Sequence, residues 1–267
     1  MTRSIPPAAK PKTRRINYGR GHGYELDGSK VMGVTAVKDM LPKEALMKWV
    51  GRNVAGYAID NWDELAGLKP SERLKLLEGA MWGNRDSQAA KGTEIHGFAE
   101  KLVAGVEVKV PDRIKGYVEQ AARWMDDFDI EPILIEPALF SRRYNYAGTA
   151  DLFGLVHAIL REDGAGPLRV LADYKTGASG IWPDFAIQGI GYERADFYLD
   201  EDGQEQAVPE IDAIWGIHLM DDAYSVIPVI ADRDWLFRRF RALQMILNFK
   251  EQDRSVILGA PVEPPER

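Results

Sequence analysis

The chain contains no cysteine. That absence excludes disulfides, thiolate zinc sites, cysteine-ligated iron–sulfur clusters and a thiol nucleophile. No apolar run approaches the roughly 18 residues needed to cross a bilayer, and the N-terminus lacks an apolar signal core. The expectation is a soluble, cytoplasmic protein with no membrane partner. Positive charge is also in deficit, with 34 Lys and Arg against 41 Asp and Glu, a formal net charge of −7. This argues mildly against non-specific wrapping of nucleic acid, but a local basic groove remains open, because phosphate binding depends on where the cations sit.

What is present suits one large domain. Of 267 residues, 45% are hydrophobic, and a chain of this size buries roughly three quarters of the surface it exposes when unfolded. Residues 1–20, with Pro interspersed among Lys10, Lys12, Arg14, Arg15 and Arg20, read as a flexible basic arm. Residues 259–267 read as a Pro-rich flexible tail, leaving 21–258 as a single domain. From Lys43 to Leu77 apolar residues recur at helical steps. Asp86 or Ser87 is a candidate cap for a helix through GTEIHGFAEKLVAG, and a further helix is expected over Asp112–Phe128. The N-terminal part, about 35–130, therefore reads as all-helical. A sheet core follows over about 131–258. Its strands are ILIEPALF, YAGTADLFGLVHAIL, LRVLADYK, AIWGIHLM and YSVIPVI, with a helix opened by Pro183 and a final amphipathic helix. The fold class expected is α/β, a mixed sheet flanked by helices.

The segment VLADYKTG places Asp173 and Lys175 two residues apart on a strand, so both point to one face. If the turn in REDGAGP centres on Asp163, Asp151 lies opposite Lys175 and diagonal to Asp173. A whole-residue shift keeps the three together, and a half-residue slip separates them. Two carboxylates ~4 Å apart repel by on the order of 4 kcal/mol at an effective dielectric of 20. A lysine offsets part of this, and a hard divalent cation offsets more. The residues alone leave two readings, a metal site with a positive neighbour or a structural ion pair at a sheet edge. His96 and Glu100 share a helix face, as do Gln188 and Tyr192 on the helix after the Asp-x-Lys strand.

The order GTxxH (Gly92, Thr93, His96), GTAD (Gly148–Asp151), DYKTG (Asp173–Gly177) and QxxxY (Gln188, Tyr192) resembles the RecB-like branch of the PD-(D/E)XK nuclease superfamily. Each motif alone is weak, but four in this order over most of the chain are specific. The resemblance implies a restriction-endonuclease-like core, a mixed sheet flanked by helices. It implies that Asp151, Asp173, the backbone carbonyl of Tyr174 and His96 hold Mg²⁺ or Mn²⁺, and that Lys175 serves the attacking water. Glu136 resembles an acid that members carry in the preceding strand, for a second metal or to help the base, though it could equally be an exposed strand residue. Gln188 and Tyr192 would hold the nucleic-acid backbone or the active-site strand. Several relatives carry four cysteines around an iron–sulfur cluster, which this chain cannot form. With no GxxxxGK[ST] loop, helicase activity is not encoded.

The function so implied is a metal-dependent DNA nuclease, an exonuclease before an endonuclease, acting on single- or double-stranded ends. The setting would be phage-like recombination or replication with partner proteins, in the host cytoplasm. The alternatives are a catalytically idle DNA-binding subunit of the same fold and a hydrolase of another phosphate ester. Arg142 and Arg143 are candidate phosphate contacts, and Trp182 a candidate stacking platform for an unpaired base. His157 and His218 read as packing residues, Trp49, Trp124 and Trp215 as core, and Arg238, Arg239 and Arg241 as a solvated helix face.

Overall fold

A computed structural model describes residues 12–18, 21–81 and 83–262, without the side chains of 83–89. A ribbon of β1 (Arg14–Tyr18), β2 (Gly21–Leu26) and β3 (Ser29–Gly33) comes first. The helices α1 (Val34–Lys38), α2 (Glu44–Asp60), α3 (Trp62–Gly67), α4 (Pro70–Ala80), α5 (Gly83–Val103) and α6 (Asp112–Phe128) follow. Then come β4 (Ile130–Ile135), β5 (Ala138–Ser141), β6 (Tyr146–Thr149), β7 (Leu152–Leu160), β8 (Pro167–Lys175) and α7 (Asp184–Glu193). The chain continues through β9 (Phe197–Leu199), β10 (Glu205–Ala207), β11 (Ala213–Leu219), β12 (Tyr224–Pro228), α8 (Arg233–Lys250) and α9 (Arg254–Ile257). The fold is mixed α and β, as expected.

The described residues form two sheets. One has the order β12-β11-β8-β7-β4, in which β11 runs parallel to β8 and the other neighbours are antiparallel. The other has the order β1-β2-β3-β6-β5-β9-β10, with β3 parallel to β6. The strand β8 shows why its sheet is a central layer. Val170, Ala172 and Tyr174 pack towards α5 and α6 with Ile95, Ile114 and Trp124, while Leu171 joins Phe185, Ile190 and Phe240 of α7 and α8. Buried on both faces, β8 needs apolar residues at nearly every position, as VLADYK supplies. The helix α6 carries its buried face on Ile114, Val118, Ala121 and Trp124, at helical steps, and ends where Asp129 turns left-handed at φ 48°.

Several expectations need correction. The basic arm is not wholly irregular: Arg14–Tyr18 pairs with β2 over five residue pairs, because edge-strand pairing satisfies backbone groups whatever the side-chain charge. Its remainder, residues 1–11 and 19–20, lies outside the described residues, as do 263–267 of the tail. Among the described residues, the stretch from Val34 to Phe128 carries helices and no strand, as expected for about 35–130, but an unexpected three-stranded ribbon precedes it. Asp86 and Ser87 lie inside α5, which begins at Gly83. The tryptophans divide: Trp124 and Trp215 are core, whereas Trp49 is exposed on α2.

The largest correction concerns two strands that each break in the middle. ILIEPALF divides at Glu136, so that β4 belongs to one sheet and β5 to the other. YAGTADLFGL divides at Ala150–Asp151 in the same way, with β6 and β7 in different sheets. The two crossing points are tied together, Glu136 N donating to the Asp151 carbonyl at 3.0 Å. Glu136 sits at φ 47°, a left-handed conformation costly for a residue with a side chain, followed by Pro137, which cannot donate to a ladder. Strands that change sheets do so at bends of this kind.

Candidate active site

The site forms at this crossing. The β7–β8 register sets Leu152 opposite Ala172, and one step further Asp151 falls beside Asp173 rather than Lys175. Asp151's partner shifts by two residues, from Lys175 to Asp173, equivalent to moving the hairpin centre by one whole residue, so the two acids still converge. A bulge makes this possible. Near the turn Leu160 faces Pro167, and between Leu160 and Val156 the strand β7 advances four positions while β8 advances one, which restores the parity that the turn alone would have lost.

Asp173 is 3% exposed, and its Oδ2 contacts the Lys175 ammonium. Asp151 Oδ2 accepts from the Tyr174 backbone N–H at 2.7 Å and lies 3.3 Å from His96 Nδ1, which α5 brings from the other side of the sheet. The His96 ring meets the Tyr174 ring edge-on at 6.0 Å, which fixes its orientation. From α7, Gln188 Oε1 accepts from Lys175 Nζ at 3.4 Å, and Gln188 Nε2 donates to the Tyr192 hydroxyl at 2.8 Å. Gly148 of GTAD makes room for that tyrosine: a Cβ there would stand 2.6 Å from Tyr192 Cε1.

The two carboxylates titrate apart, as like charges in one site must. Burial raises both, and for Asp173 the charge of Asp151 adds to burial and outweighs the lysine, so its carboxyl stays high. For Asp151, His96, Lys175 and the Tyr174 N–H outweigh burial and hold it below the usual carboxylate range. Burial alone would lower His96 and Lys175, but their acidic neighbours hold both above their ordinary values.

A second carboxylate pair adjoins the first. Glu100, one helical turn beyond His96, faces Glu136, and its buried Oε1 has no hydrogen-bond partner among the described residues. Burial and then the contact with Glu136 push Glu100 up to about 8 from 4.5. A carboxyl raised by folding contributes stability that is complete below its unfolded pKa and is lost as pH rises through the folded one. In the metal-free protein the melting temperature is therefore expected to fall between about pH 5 and 8. Glu100→Gln, neutral throughout, should flatten that fall in melting curves recorded across pH with EDTA present; an identical slope in the variant would show that Glu100 does not titrate there.

Of the other candidates, Gln188 and Tyr192 are 8% and 3% exposed, and they are brought to the active-site strand, Gln188 bonding Lys175 and Tyr192 bonding Gln188. Arg142 and Arg143 are not brought to the site; they lie in the β5–β6 turn, at the far end of β6 from Asp151. Arg142 is committed to Asp27 and Glu205, with its guanidinium 4.5 Å from the Phe197 ring centroid. Trp182, 54% exposed, does stand in the loop between β8 and α7, with Nε1 donating to Ser179 Oγ at 3.1 Å. His157 is not a packing residue but an exposed partner of Glu131, while His218 meets the Gly177 carbonyl. Arg241 is partly buried and donates to the Tyr144 carbonyl, unlike the solvated Arg238 and Arg239.

The donor set suits a hard cation in kind: two carboxylates, a backbone carbonyl and an imidazole, with another acid whose oxygen is unpartnered. Among the described residues, however, no group of three or more His, Asp or Glu is gathered closely enough to enclose one. The acids are instead paired with His96 and Lys175. Sequence reasoning missed the contribution of the N-terminal ribbon. Tyr24 of β2 reaches Thr149 Oγ1 at 2.9 Å, and Arg15 of β1 reaches Glu136 Oε2 at 3.4 Å. Neither stands in a motif, and only the β3–β6 pairing brings them near.

Among the described residues no helix is long and apolar enough to cross a membrane. No known family matches the chain, and no curated protein does. Among solved structures it is similar to the crystal structure of SSO0001, at 10% identity and a TM-score of 0.28, over 80% of this chain and 75% of that one. A score at that level carries no conclusion about fold or function.

Proposed function

We propose that the protein is a divalent-metal-dependent deoxyribonuclease of the PD-(D/E)XK superfamily, RecB-like branch, and an exonuclease within it. The observation that carries this reading is the Lys175 ammonium on the Asp173 carboxylate at the end of β8, with Asp151 beside it. Hydrolysis joins a water oxygen to phosphorus and releases one sugar oxygen, and the phosphoryl oxygens gain negative charge on the way. Lys175, kept charged by two acids, offsets that charge and orients the water. Asp151, Asp173, the Tyr174 carbonyl and His96 would hold Mg²⁺ or Mn²⁺, which lowers the pKa of bound water and neutralises the phosphate. Metal binding would compete with a proton for His96, whose affinity for that proton its acidic neighbours raise, and is therefore favoured by rising pH.

The pairing of the acids with His96 and Lys175, with no three His, Asp or Glu gathered among the described residues, favours one second reading: an idle nucleic-acid-binding subunit. End-labelled linear single- and double-stranded DNA, beside closed circular DNA, separates the two in Mg²⁺, Mn²⁺ or EDTA. Metal-dependent loss of linear substrate alone is the expected result. Cutting of the circle would make the protein an endonuclease, and retention of DNA without cleavage in any metal would leave the idle subunit.

A further inference from the structure

The ribbon at the N-terminus has one face directed at the site. Arg15 pairs with Tyr24 and Asn17 with His22 across β1 and β2, and facing residues of an antiparallel pair share a side. Tyr24 anchors that side to the GTAD loop through Thr149, two residues before Asp151. The His22 ring meets the Tyr24 ring edge-on at 5.4 Å, which places it on the same side. Asn17 and His22 are exposed and continue the face outward from Arg15.

Arg15 is held less firmly than Arg142 or Arg169. Arg142 and Arg169 each meet two carboxylates through several short hydrogen bonds. Arg15 makes one 3.4 Å contact through Nη1, and its Nε is buried without a partner among the described residues. A guanidinium presents five donors in a planar fork suited to phosphate. Its one contact, Glu136, stands where the chain changes sheets beside Asp151.

We propose that this face of the ribbon, Arg15 with Asn17 and His22, binds a nucleic-acid backbone phosphate adjoining the bond that is cut, Arg15 passing from Glu136 to the phosphate. The assignment rests on the nuclease reading above. Arg14 is the internal control, because it projects from the opposite face and holds Glu25 at 2.7 Å.

The test measures binding of a short labelled DNA duplex to the full chain in Ca²⁺ across a salt series, and cleavage in Mg²⁺ at saturating DNA. Arg15→Gln is expected to weaken binding about tenfold and to reduce the slope of log affinity against log salt by about 0.9, the value for one phosphate contact. Arg15→Lys should keep the slope, and Arg14→Gln should leave both quantities as in the wild type. An unchanged slope in Arg15→Gln, or a fall in kcat with no change in slope, overturns the assignment and leaves Arg15 as a structural partner of Glu136. A wild-type protein that neither binds nor cuts DNA overturns the nuclease reading and the ribbon assignment together. A wild type that does both, beside an unaffected Arg15→Gln, removes the ribbon alone.

Discussion

Lys175→Ala is expected to lower DNA cleavage by about three orders of magnitude, within the range for removing one preorganised positive group from a transition state. The reason is geometric. The ammonium is held on both sides, by Asp173 along its own strand and by Gln188 Oε1 at 3.4 Å from α7, so its position costs nothing at the moment of reaction. Since lysine is not a metal ligand, a metal-dependent rise in melting temperature should survive in Lys175→Ala, whereas Asp173→Ala should lose both cleavage and that rise. Comparing single-turnover rates with melting curves in Mg²⁺ and EDTA decides it. Full activity in Lys175→Ala would remove the lysine from the chemistry.

Gly148→Ala should have a large effect on stability for a small change, and one that reaches the site. The added methyl would stand 2.6 Å from Tyr192 Cε1 and 2.9 Å from Val34 Cγ2, in a core where both neighbours are buried. Overpacking of this kind costs typically 1–3 kcal/mol, and about 2 kcal/mol would lower the melting temperature by roughly 4–8 °C in a chain of this size class. Tyr192 cannot move without moving Gln188, and Gln188 holds Lys175. On the nuclease reading, the folded variant should therefore show reduced kcat with little change in KM. A melting temperature within a degree of the wild type would show that the tyrosine finds another position.

Much of the site was legible because its residues lie on regular elements. Asp173 and Lys175 are two apart on a strand, and Gln188 and Tyr192 one turn apart on a helix, so period alone places each pair on one face. The α6 boundaries, Asp112 to Phe128, are those expected for a helix opening after Pro111. The hairpin shows where such reasoning stops. The turn could be seen in REDGAGP, but the bulge between Val156 and Leu160 could not, because nothing in VHAIL distinguishes a bulged strand from a straight one. The convergence of Asp151 with Asp173 thus depends on a feature the pattern does not carry. The ribbon was missed for a different reason. RRINY and GHGYEL have the composition of a basic, glycine-containing linker, and they become strands through long-range pairing, which local propensity does not encode. Arg15 and Tyr24 reach the site by that route alone.

The bends at Glu136 and Asp151 also bear on how the site could respond to force or sequence change. Asp173 and Lys175 belong wholly to the five-stranded sheet, while Asp151 and Glu136 stand on the two segments that leave it for the other. The spacing of Asp151 and Asp173 is fixed within the five-stranded sheet by the β7–β8 register and the Tyr174 N–H. Glu136 instead stands at the pivot where the chain leaves for the other sheet, like the hinge of a pair of calipers. A change far out on the seven-stranded sheet, such as at the β9–β10 edge, is expected to reach the acids through the two bends, without touching any of them.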